Sequence, residues 1–145
     1  MIAGTISEAE LRRANVAVIE RYLQAWSVLD IDAIEAALHP EVELELGYAA
    51  PGVQDTVNGR ASVMEFMRIV PTVVAPMNFF AIEISTLEDP AELFATYRGD
   101  SRVLATDKPY RNRYLTRARV EDGLIRRYAE FSDPLVFMEA FTAHD

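Results

Sequence analysis

Residues Tyr110 to Arg119 read Tyr-Arg-Asn-Arg-Tyr-Leu-Thr-Arg-Ala-Arg, and that alternation leaves the segment few ways to fold. Successive side chains of an extended strand point to opposite faces. Tyr110, Asn112, Tyr114, Thr116 and Ala118 therefore share one face, and Arg111, Arg113, Leu115, Arg117 and Arg119 share the other. Burying an unpaired guanidinium costs far more than burying a tyrosine or asparagine that finds a hydrogen bond. The spacing predicts a strand whose tyrosine face looks inward and whose arginine face meets solvent or a second subunit.

The surrounding charge supports this. The chain has 145 residues and a net charge of −9, yet residues 98–127 hold nine of its 14 basic residues and only four acids. Such a basic stretch in an acidic chain fits pairing with acidic surface of the same protein or of a second copy. The overall acidity argues against nucleic acid as a partner, because neutralising phosphates needs a basic surface. Half the residues are hydrophobic and 26% are charged, the balance of one globular domain spanning 1–145 with its own core. There is no cysteine, which excludes disulfides, thiolate nucleophiles and Cys-type metal sites. His39 and His144 alone cannot make a three-histidine site, so neither metal nor cofactor is expected. Apolar runs fall far short of the roughly 20 residues of a membrane span. The N-terminus lacks the basic start and apolar stretch of a signal peptide, so no membrane association and a cytoplasmic location are expected.

Ser7-Glu8-Ala9-Glu10 reads as a capping box opening a helix to about Val28, with Leu11, Ala14, Val18, Tyr22 and Trp26 on its apolar stripe. Asp30 is placed to cap a second helix through Leu38, ended by His39-Pro40. Glu41 to Leu46 alternates as a strand, and Gly47 to Asn58 reads as a loop. A third helix from Gly59 to Val70 is expected to stop at Pro71. Residues 78–85, 93–104, 110–120 and 124–132 read as strands, the last two joined by the tight Glu121-Asp122-Gly123 turn. Asp133-Pro134 breaks the last strand before a short C-terminal helix. Helices followed by four strands predict an α+β fold, an antiparallel sheet wrapped around helices with room for a ligand on its concave side.

Tyr110-Arg111-Asn112-Arg113-Tyr114, then Val120-Glu121-Asp122-Gly123-Leu124-Ile125, then Glu130-Phe131-Ser132-Asp133-Pro134 resembles the signature of the SnoaL-like and phenazine-biosynthesis A/B families. These families belong to the nuclear transport factor 2-like (NTF2-like) superfamily. Upstream, Glu88-Asp89-Pro90, Leu93-Phe94 and Arg98-Gly99-Asp100 resemble the corresponding stretch of the phenazine proteins. The resemblance implies a cone of three helices packed on a strongly curved antiparallel sheet, a pocket in the cone mouth, and a homodimer formed through the outer sheet face.

It also implies site residues. Glu130 corresponds to the glutamate that the phenazine proteins use as acid/base, and Tyr110 to a pocket tyrosine. A carboxylate among aromatic rings is poorly hydrated, so its pKa should rise toward neutrality. Tyr110 and Tyr114 are then candidate donors to a developing oxyanion, and Asn112 a residue that orients substrate or Glu130. The alternative is that Glu130 simply pairs with an arginine such as Arg98. Arg98 and Asp100 also resemble the Arg-x-Asp of limonene-epoxide hydrolases, where two acids flank an arginine; with Glu130 they would form the same constellation. The alternative for these two is a place at the sheet's bend or rim, with Gly99 permitting a bulge. Tyr22 matches a helix tyrosine of ketosteroid isomerases, although the position of their catalytic aspartate holds Leu46. Trp26, Phe66, Val70, Phe94 and Tyr128 are expected to line the pocket with Tyr22. Three functions follow: a cofactor-free acid/base enzyme acting on a hydrophobic cyclic carbonyl compound, an epoxide hydrolase, or a non-catalytic dimeric protein that binds a small ligand.

Overall fold

The computed structural model describes residues 5–47, 52 and 55–143; His144 and most of the loop expected after Gly47 lie outside them. Helix α1 (Glu8–Ser27) starts where the sequence places it, with Ser7 Oγ accepting from the Glu10 amide at 3.1 Å. Its buried face carries Val18, Ile19, Tyr22, Leu23 and Ala25. The start of the same face is tied to the sheet: Arg12 donates to Thr86 Oγ1 at 2.8 Å and the buried Asn15 Nδ2 to the Pro90 carbonyl at 2.9 Å. Asp30 caps α2 (Ile31–Ala36) by accepting from the Ala33 amide.

Two expectations at prolines are corrected. The second helix does not reach Leu38; β1 (Leu38–Gly47) begins there and runs through Pro40. Leu38 is buried opposite Ile125, and the Ile125 amide donates to Ala37 O at 2.8 Å, so pairing with a neighbouring strand overrides local helix preference. Pro40 is tolerated because it lies where the register shifts between Leu38 and Glu43 and no ladder donor is needed. His39 is thus a strand residue, its Nδ1 accepting from the Glu41 amide at 3.0 Å, and not the end of a helix. Likewise α3 (Arg60–Met67) ends before Pro71, which sits in the first turn of a separate short helix α4 (Val70–Val73), where a missing N–H does no harm.

The remaining elements are β2 (Thr56–Asn58), β3 (Phe80–Thr86), β4 (Glu92–Arg102), β5 (Pro109–Glu121), β6 (Leu124–Ser132) and α5 (Pro134–Phe141). They form one sheet in the order β2-β1-β6-β5-β4-β3, antiparallel except where β1 pairs with β6 in parallel. The β5–β6 hairpin turns on Asp122 and Gly123, whose φ values of 54° and 74° are those of a tight two-residue turn matched to strand twist. Asp133 caps α5 by accepting from the Leu135 and Val136 amides.

Along β5 the alternation is complete: Tyr110, Asn112, Tyr114, Thr116 and Ala118 are buried while Arg111, Arg113, Leu115 and Arg117 are exposed. Arg119, half-buried on the same outer face, is held by Glu121, Asp89 and Glu92. Strand β4 pairs with β5 without a register break from Glu92–Arg119 to Arg102–Pro109. No bulge therefore exists at Gly99. This glycine faces inward, where a Cβ would come 3.1 Å from Tyr114 Cε2 and 3.3 Å from both the Met77 carbonyl and Phe79 Cε1. The irregularity of this part of the sheet lies instead on β3, between Phe80 and Glu83, where Ala81 takes a φ of 53°. Gly99→Val should overpack this contact and lower stability by about 1–3 kcal/mol in urea unfolding.

Candidate active site

Between the inner sheet face and helices α1, α3, α4 and α5 lies a cavity of about 290 Å³. Helix α1 contributes Tyr22 and Trp26 to it, and the α3–α4 break contributes Phe66 and Val70. Five of the chain's six tyrosines line it: Tyr22, Tyr97, Tyr110, Tyr114 and Tyr128. Among the described lining residues there is one carboxyl group, Glu130, and no Arg, Lys or His.

Glu130 reaches the cavity because β6 alternates Tyr128, Glu130 and Ser132 toward it. Its neighbours in register are Thr116 on β5 and Leu46 on β1. Among the described residues no hydrogen bond or ion pair involves its carboxyl group. Burial without compensation disfavours the charged form, and the Glu130 pKa is pushed up from 4.5 to about 7.

The tyrosine hydroxyls divide into three sets. Tyr97 and Tyr128 bond to each other at 2.8 Å and both reach Thr116 Oγ1, at 2.8 and 3.2 Å. Tyr110 Oη accepts from Asn112 Nδ2 at 3.2 Å. Tyr22 and Tyr114 have buried hydroxyl oxygens with no partner; the Trp26 indole approaches Tyr22, and the Tyr110 hydroxyl approaches Tyr114, without meeting hydrogen-bond geometry. Burial raises the pKa of all five phenols, and the nearby Glu130 charge adds to each shift. They remain protonated donors at neutral pH. Ring contacts hold the set together: Tyr97 stacks on Tyr114 with centroids 5.2 Å apart, and Tyr22 meets Tyr128 edge-on at 4.9 Å.

Of the residues singled out from sequence, Glu130, Tyr110, Tyr114, Tyr22, Trp26, Phe66, Val70 and Tyr128 are brought to this cavity. Asn112 is buried behind its wall rather than in it. Its Nδ2 also donates to the Asp133 carbonyl at 3.1 Å and its Oδ1 accepts from the Asp133 amide at 3.1 Å. Asn112 therefore orients Tyr110 and the β6–α5 junction, not Glu130.

Arg98, Asp100 and Phe94 do not join the site. The unbroken β4–β5 register puts all three on the outer face, opposite Arg113, Arg111 and Arg117. Asp100 forms an exposed ion pair with Arg111 at 3.1 Å, and Arg98 is exposed. The epoxide-hydrolase constellation is thus split across the two sides of the sheet, and an ion pair between Glu130 and Arg98 is excluded for the same reason. The residue that β4 does send into the cavity is Tyr97, which the sequence reading missed; phasing β4 inward from Leu93 would have found it. Ser132 was missed as a lining residue too, and Thr116, whose inward direction was expected, bonds Tyr97 and Tyr128 from behind the lining. Among the described residues no three His, Asp or Glu side chains gather in a metal-binding cluster.

The SnoaL-like domain family model matches residues 19–128. An uncharacterized protein of Bacillus subtilis, YesE, is 27% identical over 132 residues, covering 90% of this chain and 84% of its own. Among solved structures, a phenazine biosynthesis-related protein of Pseudomonas aeruginosa superposes with a TM-score of 0.82 at 18% identity, over 95% of this chain and 91% of that one. An NTF2-like protein of unknown function from Burkholderia pseudomallei gives a TM-score of 0.76 at 20% identity, over 90% and 98% of the two chains. With a family match that takes in most of its length and the sheet and helices of the NTF2-like fold, this chain belongs to the SnoaL-like domain family.

Proposed function

We propose that the cavity is the active site of a cofactor-independent enzyme that moves a proton on an uncharged, hydrophobic, cyclic carbonyl compound, with Glu130 as the general acid/base. The observation that carries this reading is the isolation of the Glu130 carboxyl group in a largely apolar chamber with no cation among its described lining residues. A carboxyl group with a pKa near 7 is populated in both forms at neutral pH, so it can take a proton from one atom and return it to another. Removal of a proton from the carbon beside a carbonyl moves an electron pair onto the carbonyl oxygen. Tyr114 has an uncommitted hydroxyl to meet that charge, with Tyr110 beside it and Tyr22 on the α1 side. Return of the proton to a different carbon completes an isomerisation; return to a hydroxyl group that leaves as water completes a dehydration.

The lining also selects the ligand. An anion would be desolvated with no cation among the described lining residues to receive it. A cavity of about 290 Å³ is roughly twice the 150 Å³ that accommodates benzene, which suits a bicyclic compound. The outer sheet face has a different character: Arg98 lies directly opposite Arg113, neither with an acid partner among the described residues, and Glu83 is exposed on the same face. Like charges in register are unfavourable. The two arginines and Glu83 give this face both signs of charge, which a self-complementary two-fold contact can match, so we infer a homodimer through it.

Three outcomes are expected. Proton–deuterium exchange at the carbon beside the carbonyl of uncharged bicyclic ketones such as 2-tetralone, followed by NMR in D₂O, should be accelerated by the protein. Glu130→Gln should abolish that exchange and Tyr114→Phe should slow it by roughly 10²-fold. Exchange that survives in Glu130→Gln, or 2-tetralone bound without any exchange, overturns the acid–base reading.

Stability offers a second check. The unfolded chain ionises Glu130 near pH 4.5 and the folded chain only near 7, so the folded state binds more protons between these values and loses stability as pH rises through them. Glu130→Gln lacks this loss and should gain on wild type across that window, by up to about 3 kcal/mol at pH 8 in urea unfolding. Light scattering on the purified protein should give twice the chain mass, and Arg98→Glu should return it to the monomer.

A further inference from the structure

Tyr97, Thr116 and Tyr128 come from three adjacent strands, and their oxygens form a closed triangle with edges of 2.8, 2.8 and 3.2 Å. A hydroxyl group has one proton to give and two lone pairs to accept with. Around a three-membered ring each oxygen can give once and accept once: Thr116 to Tyr128, Tyr128 to Tyr97, and Tyr97 back to Thr116. All three protons are consumed inside the ring.

Glu130 stands directly across from Thr116 in the β5–β6 register, and Tyr97 and Tyr128 line the same cavity close enough to feel its charge. A carboxylate is a stronger acceptor than a hydroxyl. A hydroxyl proton released from the ring would have a bond to Glu130, the strongest acceptor among the described lining residues, open to it. No such bond forms, although four polar side chains crowd this part of the wall.

We propose that Thr116 is a positioning residue whose hydroxyl closes the ring, retains the Tyr97 and Tyr128 protons within it, and so keeps the Glu130 carboxyl group free for a ligand. The purpose of this arrangement rests on the acid–base reading above, but its test does not need a substrate. The other groups that face Glu130 are Tyr22 from α1, Tyr110 and Tyr114 from β5 and Leu46 from β1, with no basic side chain among the described lining residues. Tyr110 Oη accepts from Asn112 Nδ2, and the Tyr22 and Tyr114 hydroxyls have no partner, so these three phenols face Glu130 alike in wild type and in the ring variants. Opening the ring thus adds one proton donor near Glu130 and leaves the other partners in place.

Thr116→Val keeps the side-chain shape and removes the hydroxyl, so the proton that Tyr97 gave to Thr116 loses its acceptor. Tyr97→Phe opens the ring from the other side and frees the Tyr128 proton. A hydrogen bond to the ionised carboxylate favours that form. The Glu130 titration, followed by ¹³C NMR of the side-chain carboxyl groups and assigned with Glu130→Gln, should move down by about one pH unit or more in both variants. Thr116→Ser keeps the ring and should titrate like wild type. Either ring-opening variant suffices if the other does not fold. A titration unmoved by ring opening, or a Thr116→Ser chain that behaves like Thr116→Val, overturns the proposal. Wild-type Glu130 titrating in the ordinary carboxylate range would overturn both this proposal and the acid–base reading, whereas a raised titration that ring opening leaves unmoved overturns this proposal alone.

Discussion

A guanidinium group cannot enter an apolar interior unpaired, and β5 carries four of them on alternate residues. One orientation of the strand satisfies them: Arg111, Arg113 and Arg117 face solvent and Arg119 lies among Glu121, Asp89 and Glu92. The opposite face then has to receive Tyr110, Asn112, Tyr114 and Thr116. Because β4 and β6 pair with β5 in fixed register, that single choice also turns Tyr97, Tyr128 and Glu130 inward. The cavity's chemistry follows from the cost of burying charge on the other side of the sheet.

Five phenols and one carboxyl group in an apolar chamber would be unfavourable if each polar atom were left alone, at about 1–3 kcal/mol for a buried hydroxyl without a partner. The structure satisfies most of them with one another. Tyr97, Thr116 and Tyr128 close on themselves, and Tyr110 is held by Asn112, which also clamps the start of α5 through both polar groups of Asp133's backbone. Among the described residues, Glu130 and the hydroxyls of Tyr22 and Tyr114 stay unsatisfied at the cavity. Unmet polar groups gathered around one empty volume are what a binding site requires, since a ligand can supply the missing partners.

Local chemistry made some elements legible beforehand. Ser7 and Asp30 cap helices because their side chains reach the first free amides, and Asp122-Gly123 turns the β5–β6 hairpin because both residues accept positive φ. Elsewhere, local rules were overridden by pairing. Leu38 and Pro40 look like the end of a helix, but the parallel partner β6 draws them into β1. Pro71 looks like a stop and instead opens α4. On β4 the Arg98-Gly99-Asp100 motif drew attention to the wrong face. Gly99 is small because Tyr114 and Phe79 press against it, a contact between residues far apart in sequence.

The alternation of β5 was enough to determine the inward direction of Tyr110 and Tyr114, because side-chain direction in a strand depends only on parity. The order of the elements indicated the fold class, and the family resemblance pointed to Glu130. Tertiary structure alone decided which acids and arginines meet. Arg98 and Glu130 are separated by the thickness of the sheet, Asn112 serves the wall, and Tyr97 joins the site with Thr116 bonded behind it. Contact depends on the register between strands, and register is set by packing across the whole sheet rather than by any one segment.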